Sequence, residues 1–153
     1  MVSILTTPNL PPRHSISRAR LFVHLADQCP VAERDTHEAL LEAAVIFCRA
    51  PLHRLTTRYR KNPNWKTWFD PVRTNPSVEF IREERNWILK EAPPKFGQRI
   101  IVGAPFDKAK SLYYYIGDSE TTAIDALRVH VDEIERIIRD GEQKFGGTES
   151  IRP

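Results

Sequence analysis

The chain is poor in cysteine and glycine, and it lacks any long apolar run. Its two cysteines, Cys29 and Cys48, form no C-x-x-C pattern, which favours free thiols in a reducing cytoplasm. Six glycines are scattered over 153 residues, and neither a Walker phosphate loop nor a G-x-S-x-G turn is present. These absences argue against P-loop nucleotide hydrolysis and against serine-hydrolase chemistry.

Membrane and metal functions are also disfavoured. No segment approaches the roughly 20 apolar residues that a membrane span needs, and the N-terminal MVSILTTPNLPPRH has no basic leader. The five histidines make no H-x-x-x-H or Cys/His spacing, and no acidic triplet suits magnesium. We therefore expect a cytoplasmic protein without a membrane segment, a metal or a cofactor.

The composition is sufficient for one folded domain. Hydrophobic residues make up 41% of the chain, with three Trp, seven Phe and four Tyr, so a core can form. Three prolines within residues 1–14 predict an irregular N-terminal arm. Residues 15–147 form the predicted single helical-bundle domain, and residues 148–153 form a tail.

Apolar residues recur at helical spacing in four segments, which predict helices over about 15–29, 33–59, 77–92 and 122–145. Pro51 lies within the second segment and predicts a kink or a break there.

Two further segments complete the expected fold. The turn-rich stretch 61–76, which carries Trp65, Trp68 and Phe69, is expected to pack on the core without regular structure. QRIIV and SLYYYI, separated by GAPFDKAK, predict a β-hairpin. The whole order predicts a mainly all-α, up-and-down four-helix bundle with a small inserted β-hairpin, because strands do not alternate with helices as a parallel sheet requires.

Charge is unevenly distributed, although the formal net charge is only +3. Seven cations and one acid lie between residues 49 and 73, whereas eight acids and four bases lie between residues 118 and 145. The basic segment is suited to binding phosphate. The asymmetry is equally typical of two helices that attract each other, and this simpler interpretation is the favoured one.

Arg85 stands out because the helical register places it in an apolar stripe. At about 100° per residue, the face that has Arg85 at its centre carries Val78, Ile81, Ile88, Leu89 and Ala92. An unpaired buried guanidinium is very costly. We therefore expect Arg85 to pair with a carboxylate or to face an anion.

Arg82, Asn86 and Lys90 follow one another at spacing i, i+4, i+8 on the flank of the same helix. Together with Arg85 they form a basic strip that could hold phosphate oxygens. The alternative for Arg82 and Lys90 is an ordinary solvated flank braced by glutamates. For Arg85 and Asn86, a specific structural or ligand-binding role is favoured.

Other residues could extend this strip. Arg49 and His53 lie one turn apart on the second predicted helix, and they would join the site if the bundle places them near Arg85. Trp65, Trp68 and the tyrosines of YYY could stack on bases, although aromatics in a small bundle more often form the core or a dimer contact.

The string FIREERNWILKE resembles the C-terminal motif helix of HEPN-domain proteins. In that helix an arginine, usually followed by a polar residue that is often Asn, precedes a histidine after four to six residues. Here Arg85 and Asn86 match the first two positions, and Lys90 stands at the histidine position of the shorter spacing. The order of elements is also similar over about residues 15–145, from a long helix through an aromatic loop, the motif helix and a hairpin to a last amphipathic helix.

The resemblance implies an all-α and often dimeric protein from a family with many metal-independent ribonucleases of toxin–antitoxin, CRISPR and antiphage systems. In active members, Arg and His from two chains converge on an RNA phosphate, because the reaction needs a cation and a proton acceptor near neutral pH. The resemblance gives Arg85 and Asn86 phosphate-holding and orienting roles. Lys90 departs from the pattern, since a lysine is protonated at neutral pH unless strong desolvation lowers its pKa, although it can still hold phosphate.

The preferred hypothesis is a non-catalytic, HEPN-like homodimer that binds RNA or a partner protein in a bacterial defence or toxin–antitoxin set. Its predicted phosphate-binding residues are Arg82, Arg85, Lys90, Arg49 and His53. The first alternative is a metal-independent endoribonuclease whose catalytic residues are Arg85, Asn86 and Lys90. The second is a structural or assembly subunit in which Arg85 pairs with a buried acid.

Overall fold

A computed structural model describes residues 12–30, 33–90, 96–98, 113–115 and 118–146 of the chain. These parts are mainly helical, as predicted, and they contain five helices and three short strands. In chain order the helices are α1 Pro12–Gln28, α2 Arg34–Tyr59, α3 Trp65–Arg73, α4 Pro76–Leu89 and α5 Ala123–Gly146. None of these helices is both long enough and apolar enough to cross a bilayer.

α1 begins three residues earlier than predicted, so the expectation of an irregular arm is wrong for residues 12–14. Pro12 is the first residue of the helix. Its fixed φ angle suits a first helical turn, where the missing N–H would have no partner anyway. The remainder of the predicted arm, residues 1–11, lies outside the described residues.

α2 continues through Pro51 as a single helix, so the predicted break is wrong. Pro51 is buried, and Cys48, Leu52 and Leu55 around it have no measurable exposure. A proline within a helix removes one backbone hydrogen bond and adds a steric clash. Packing of the surrounding side chains offsets that cost and keeps the helix continuous.

α3 occupies the stretch that was expected to lack regular structure, which makes five helices instead of four. Its aromatic side chains pack against the end of α5, where the ring of Phe145 lies 5.5 Å from that of Trp65 and 5.6 Å from that of Trp68. Trp68 also donates its indole N–H to Asp140 Oδ2 at 2.7 Å. These tertiary contacts stabilise α3, a short helix that the prolines within and beside it disfavour.

α4 starts earlier than predicted and ends before residue 90. Asn75 caps its N-terminus, because its side-chain oxygen accepts hydrogen bonds from the backbone N–H groups of Ser77 and Val78. Pro76 occupies the first helical position. The helix ends at Leu89, and the backbone N–H of Lys90 still donates to the Asn86 carbonyl.

The strands are β1 Phe96–Gln98, β2 Tyr113–Tyr115 and β3 Asp118–Thr122, and they form an antiparallel sheet in the order β1-β2-β3. Gln98 pairs with Tyr113, which confirms that the two runs of the predicted hairpin pair at the end away from their connecting loop. The rest of the QRIIV run lies outside the described residues. The third strand was not predicted.

α5 supplies the centre of the core, as its apolar stripe predicted. Its buried side chains include Ile124, Leu127, Val131, Ile134, Ile138 and Phe145. Thr122 Oγ1 accepts a hydrogen bond from the Asp125 backbone N–H at 3.2 Å and so caps the start of α5. α5 packs against α1, α2 and α4. Burial of each large apolar side chain contributes about 1.5–3 kcal/mol to the stability of this core.

Candidate functional site

Arg85 is exposed on the surface of α4, so its predicted burial at the centre of an apolar stripe is wrong. Leu89, which was placed on the same buried face, is 57% exposed. Ala92 lies outside the described residues. The buried residues of α4 are instead Ser77, Val78, Ile81 and Glu84.

Two contacts with α5 hold the side of α4 that carries Ser77 and Phe80. Ser77 Oγ lies 2.9 Å from His130 Nδ1, and the ring of Phe80 stacks on the ring of His130 with centroids 4.2 Å apart. These contacts draw the side of α4 that carries Glu84 into the bundle, where Glu84 is only 5% exposed. The buried residues of α4 cover an arc of about 120° from Glu84 to Val78 at 100° per residue, and Arg85, which falls within that arc, is exposed in the last two turns of the helix.

Arg85 makes one polar side-chain contact, with its neighbour Asn86. Its Nη1 donates to Asn86 Oδ1 at 3.5 Å, which is at the limit of a hydrogen bond. Among the residues that the structure describes, Arg85 forms no ion pair with a carboxylate. The expectation of the structural alternative, that Arg85 pairs with a buried acid, is therefore wrong for the described part of the chain.

Arg49 of α2 lies close enough to the two arginines of α4 to feel their charges. Its guanidinium is half-buried, and burial lowers its pKa. The positive charges of Arg85 and Arg82 lower the pKa of Arg49 further. We call Arg49, Arg82 and Arg85 the arginine cluster, because the packing of α2 against α4 brings these three charges together.

No opposite charge within the described ranges counters these effects on Arg49. Like charges held together at a half-buried position raise the free energy of the protein. An anion placed among the three guanidinium groups would lower it, and arginine suits phosphate because its donors form a planar fork. The cluster therefore has the charge and the donor groups that an anion site requires.

The remaining residues of the predicted strip lie at its margins. His53 is exposed on α2, one turn beyond Arg49. Lys90 is exposed at the C-cap of α4, and Asn86 is exposed beside Arg85. Lys90 stands in water, so its surroundings do not provide the desolvation that a lysine acting as a general base requires.

The acidic helix α5 is neutralised chiefly by α1 and by its own arginines. Arg20 donates to Asp132 Oδ1 at 2.7 Å, and Arg13 pairs with Glu142 at 2.7 Å. Within α5, Arg136 pairs with Glu133 at 2.7 Å. These ion pairs therefore do not support the favoured interpretation of the charge asymmetry, which is an attraction between the basic and the acidic segment.

The aromatic residues considered for base stacking belong to the core where their side chains are described. Trp65 is buried, and Trp68 is half-buried with its indole N–H bonded to Asp140. The side chains of Tyr113–Tyr115 lie outside the described part of the chain. This arrangement leaves charge, rather than stacking, as the feature that defines the candidate site.

The sequence pattern predicted neither the Ser77–His130 pair nor the burial of Glu84. Ser77 is buried, and burial lowers the pKa of the half-buried His130, which favours the neutral ring. Because Ser77 is enclosed between α4 and α5, the pair fastens two helices instead of presenting a nucleophile. The only local signal was the cap sequence Asn75-Pro76-Ser77, which fixes where α4 begins but not what it packs against.

No group of three or more His, Cys, Asp or Glu side chains in the described ranges is arranged to hold a metal ion. Cys29 and Cys48 are both free thiols. Comparison with known proteins gives no match to a family model, to a curated protein or to a solved structure. The resemblance to HEPN proteins therefore rests on the residues of the sequence alone.

Proposed function

We propose that this protein is a non-catalytic, HEPN-like helical bundle that binds RNA by holding backbone phosphates at the arginine cluster. The observation that carries the proposal is the approach of Arg82 and Arg85 to the half-buried Arg49, with no counter-charge among the residues that the structure describes. Following the resemblance, the proposal includes a homodimer and a place in a bacterial defence or toxin–antitoxin set. Because Arg85 is exposed, its predicted burial no longer supports the proposal. Its guanidinium is, however, accessible to a ligand.

The wider charge distribution favours a polyanion over a single acidic side chain of a protein. Beyond Arg49, the C-terminal end of α2 and the following segment add exposed cations, namely Arg60, Lys61, Lys66 and Arg73. From residue 49 to residue 60 the helix advances about 16 Å, which is the span of several nucleotides. Because the acids of α5 pair with α1 and within α5, they leave this basic surface available.

Binding without cleavage is favoured by the surroundings of Lys90. Cleavage at a 2′-hydroxyl needs a proton acceptor near neutral pH, and the position that carries histidine in the resembling family carries an exposed lysine here. The arginine cluster can still hold phosphate oxygens, and Lys90 can add one more charge at the end of α4. Holding the backbone without cutting it is the chemistry that this set of side chains supports.

The test is fluorescence anisotropy with a labelled single-stranded RNA at physiological salt. We expect the double variant Arg82→Ala/Arg85→Ala to weaken binding about tenfold or more, since each charge-assisted contact contributes about 1 kcal/mol. The matched control is Arg139→Ala, which removes an exposed, ion-paired arginine of α5. Absence of binding, or an equal loss in the control, would contradict the proposal.

Two further measurements on the same proteins distinguish RNA binding from the ribonuclease and structural alternatives. Incubation of the protein with RNA in EDTA should leave the RNA intact, whereas cleavage that Arg85→Ala abolishes would make the protein a metal-independent endoribonuclease. Because Arg85 is exposed, Arg85→Ala should change the free energy of unfolding by no more than about 0.5 kcal/mol. A loss of 3–5 kcal/mol, as estimated for a broken buried ion pair, would instead indicate a structural role.

A further inference from the structure

The outer face of α2 points away from the core and is lined by small and apolar side chains. Ala39, Ala43, Ile46 and Ala50 fall within an arc of about 60° at 100° per residue. Ile46 is 38% exposed, Ala39 is exposed, and Ala43 and Ala50 are half-buried. Small side chains on a helix allow the backbone of a second helix to approach closely.

α1 extends this face with two exposed leucines. Phe22 of α1 stacks on Phe47 of α2 with the ring centroids 5.3 Å apart, so the two helices lie side by side here. Leu21 and Leu25 flank Phe22 on α1 and are exposed. The outer face of α2 and these leucines form what we call the α1–α2 surface.

Charges along one border of this surface are opposite in sign at its two ends. Glu42 lies on that border, and Arg49 and His53 follow it on the same side of α2, about 10 Å and 16 Å further along the helix. Burial and the negative charge of Glu38 raise the pKa of Glu42, and no ion pair of Glu42 is found among the described residues. Arg49 also lacks a counter-charge there. Within the described ranges of one chain, an acid and a base are therefore left without ion pairs on one helix border.

We propose that a second copy of this chain docks on the α1–α2 surface with the two α2 helices antiparallel and a two-fold axis near Ile46 and Phe47. In an antiparallel pair related by such an axis, residues on one border of a helix face the same border of the other helix. Glu42 of one copy then lies opposite the position between Arg49 and His53 on α2 of the second copy. Ala43 faces Ala50 across the axis.

This arrangement places Glu42 of each copy beside Arg49 and His53 of the other copy, once on each side of the axis, and leaves Arg82 and Arg85 of each arginine cluster for phosphate. Ile46 and the two leucines supply apolar area at the centre, while the ion pairs lie at the border, as in protein interfaces generally. Arg49 lies between this surface and the arginine cluster, so each phosphate site would adjoin the interface. The proposal rests on the proposed function in that it identifies the interface of the homodimer included there. Because its test uses no RNA, the dimer interface and RNA binding can each be disproved separately.

Sedimentation equilibrium of the full chain tests the proposal. We expect a concentration-dependent increase from the chain mass of 17.7 kDa to twice that value. Ile46→Arg should raise the dimer dissociation constant about 100-fold or more, because two like charges would meet at the axis. The matched control is Val129→Arg, since Val129 is a 64% exposed apolar residue of α5, away from this surface, and its replacement should leave the dissociation constant unchanged.

The charge pattern supplies a second arm that separates this register from others. Glu42→Lys should weaken the dimer, because the new lysine would face Arg49 and His53 of the other copy, and adding His53→Glu should restore part of the loss. Circular dichroism confirms that each variant keeps its helices. A monomer at all concentrations, a dimer indifferent to Ile46→Arg, or a failure of His53→Glu to restore association would each overturn the proposal.

Discussion

Replacing Gly141 by alanine tests how tightly α5 packs against α2 and α3. At an exposed position within a helix, glycine to alanine stabilises a protein by about 1 kcal/mol. Gly141 is buried, however, and an added Cβ would lie 2.7 Å from Leu55 Cδ2 and 2.7 Å from Trp68 Cη2. Both distances are well below van der Waals contact, so a neighbouring side chain must move.

Neither neighbour can move freely. Leu55 has no exposed surface, and Trp68 is tied to Asp140 by the 2.7 Å hydrogen bond of its indole N–H. Overpacking of this kind costs about 1–3 kcal/mol, and displacing Trp68 would also weaken a hydrogen bond to a charged group. We therefore expect Gly141→Ala to lower the free energy of unfolding by about 1–2 kcal/mol after the helix-propensity gain is included.

Urea denaturation followed by circular dichroism measures this change. The control is Gly146→Ala at the end of α5, where the added Cβ would lie 3.2 Å from the Tyr59 hydroxyl and a small shift relieves the contact. We expect this control to stay within about 0.5 kcal/mol of the parent protein. If Gly141→Ala were more stable than the parent by the full propensity gain, the close approach of α5 to α2 and α3 would be refuted.

Two further predictions concern titratable groups. Because burial lowers the pKa of His130 and of His37, both favour the neutral form in the folded state, so stability should be greatest above about pH 6.5 and fall as the pH drops towards the folded-state pKa values. His130→Gln keeps a side chain that can hydrogen-bond with the Ser77 hydroxyl and should reduce the difference between urea midpoints at pH 7 and pH 5; an unchanged difference would contradict the role of His130. Burial raises the pKa of the Cys48 thiol to about 12, so a thiol reagent should modify Cys29 in the native protein and Cys48 only after denaturation, whereas rapid native modification of Cys48 would refute its burial.

The sequence predicted those parts of the fold that depend on local pattern. α5 follows its apolar stripe from Ile124 to Phe145, close to the predicted bounds of 122–145. α2 spans nearly the predicted residues because its apolar register continues on both sides of Pro51. In each case the period of burial is set within the segment itself, so one segment is sufficient to predict it.

Long-range contacts decided the parts that the sequence did not predict. α3 depends on Phe145, which lies far along the chain, and the local prolines gave the opposite indication. The burial of Glu84 accompanies the contacts of Ser77 and Phe80 with His130 of α5, and the register of α4 alone, which placed Arg85 in the core, did not show that the last turns of α4 are exposed there. The approach of Arg49 to Arg82 and Arg85 follows from the packing of α2 against α4.

The salt dependence of RNA affinity tests the central claim, that the arginine cluster holds phosphates, most directly. For single-stranded nucleic acid each neutralised phosphate contributes a slope of about −0.7 to the plot of log affinity against log salt concentration. We predict that Arg82→Gln/Arg85→Gln makes this slope shallower by about 1.4, while Arg136→Gln on α5, where Arg136 is paired with Glu133, leaves it unchanged. Parallel plots for the parent protein and the α4 double variant would contradict the account.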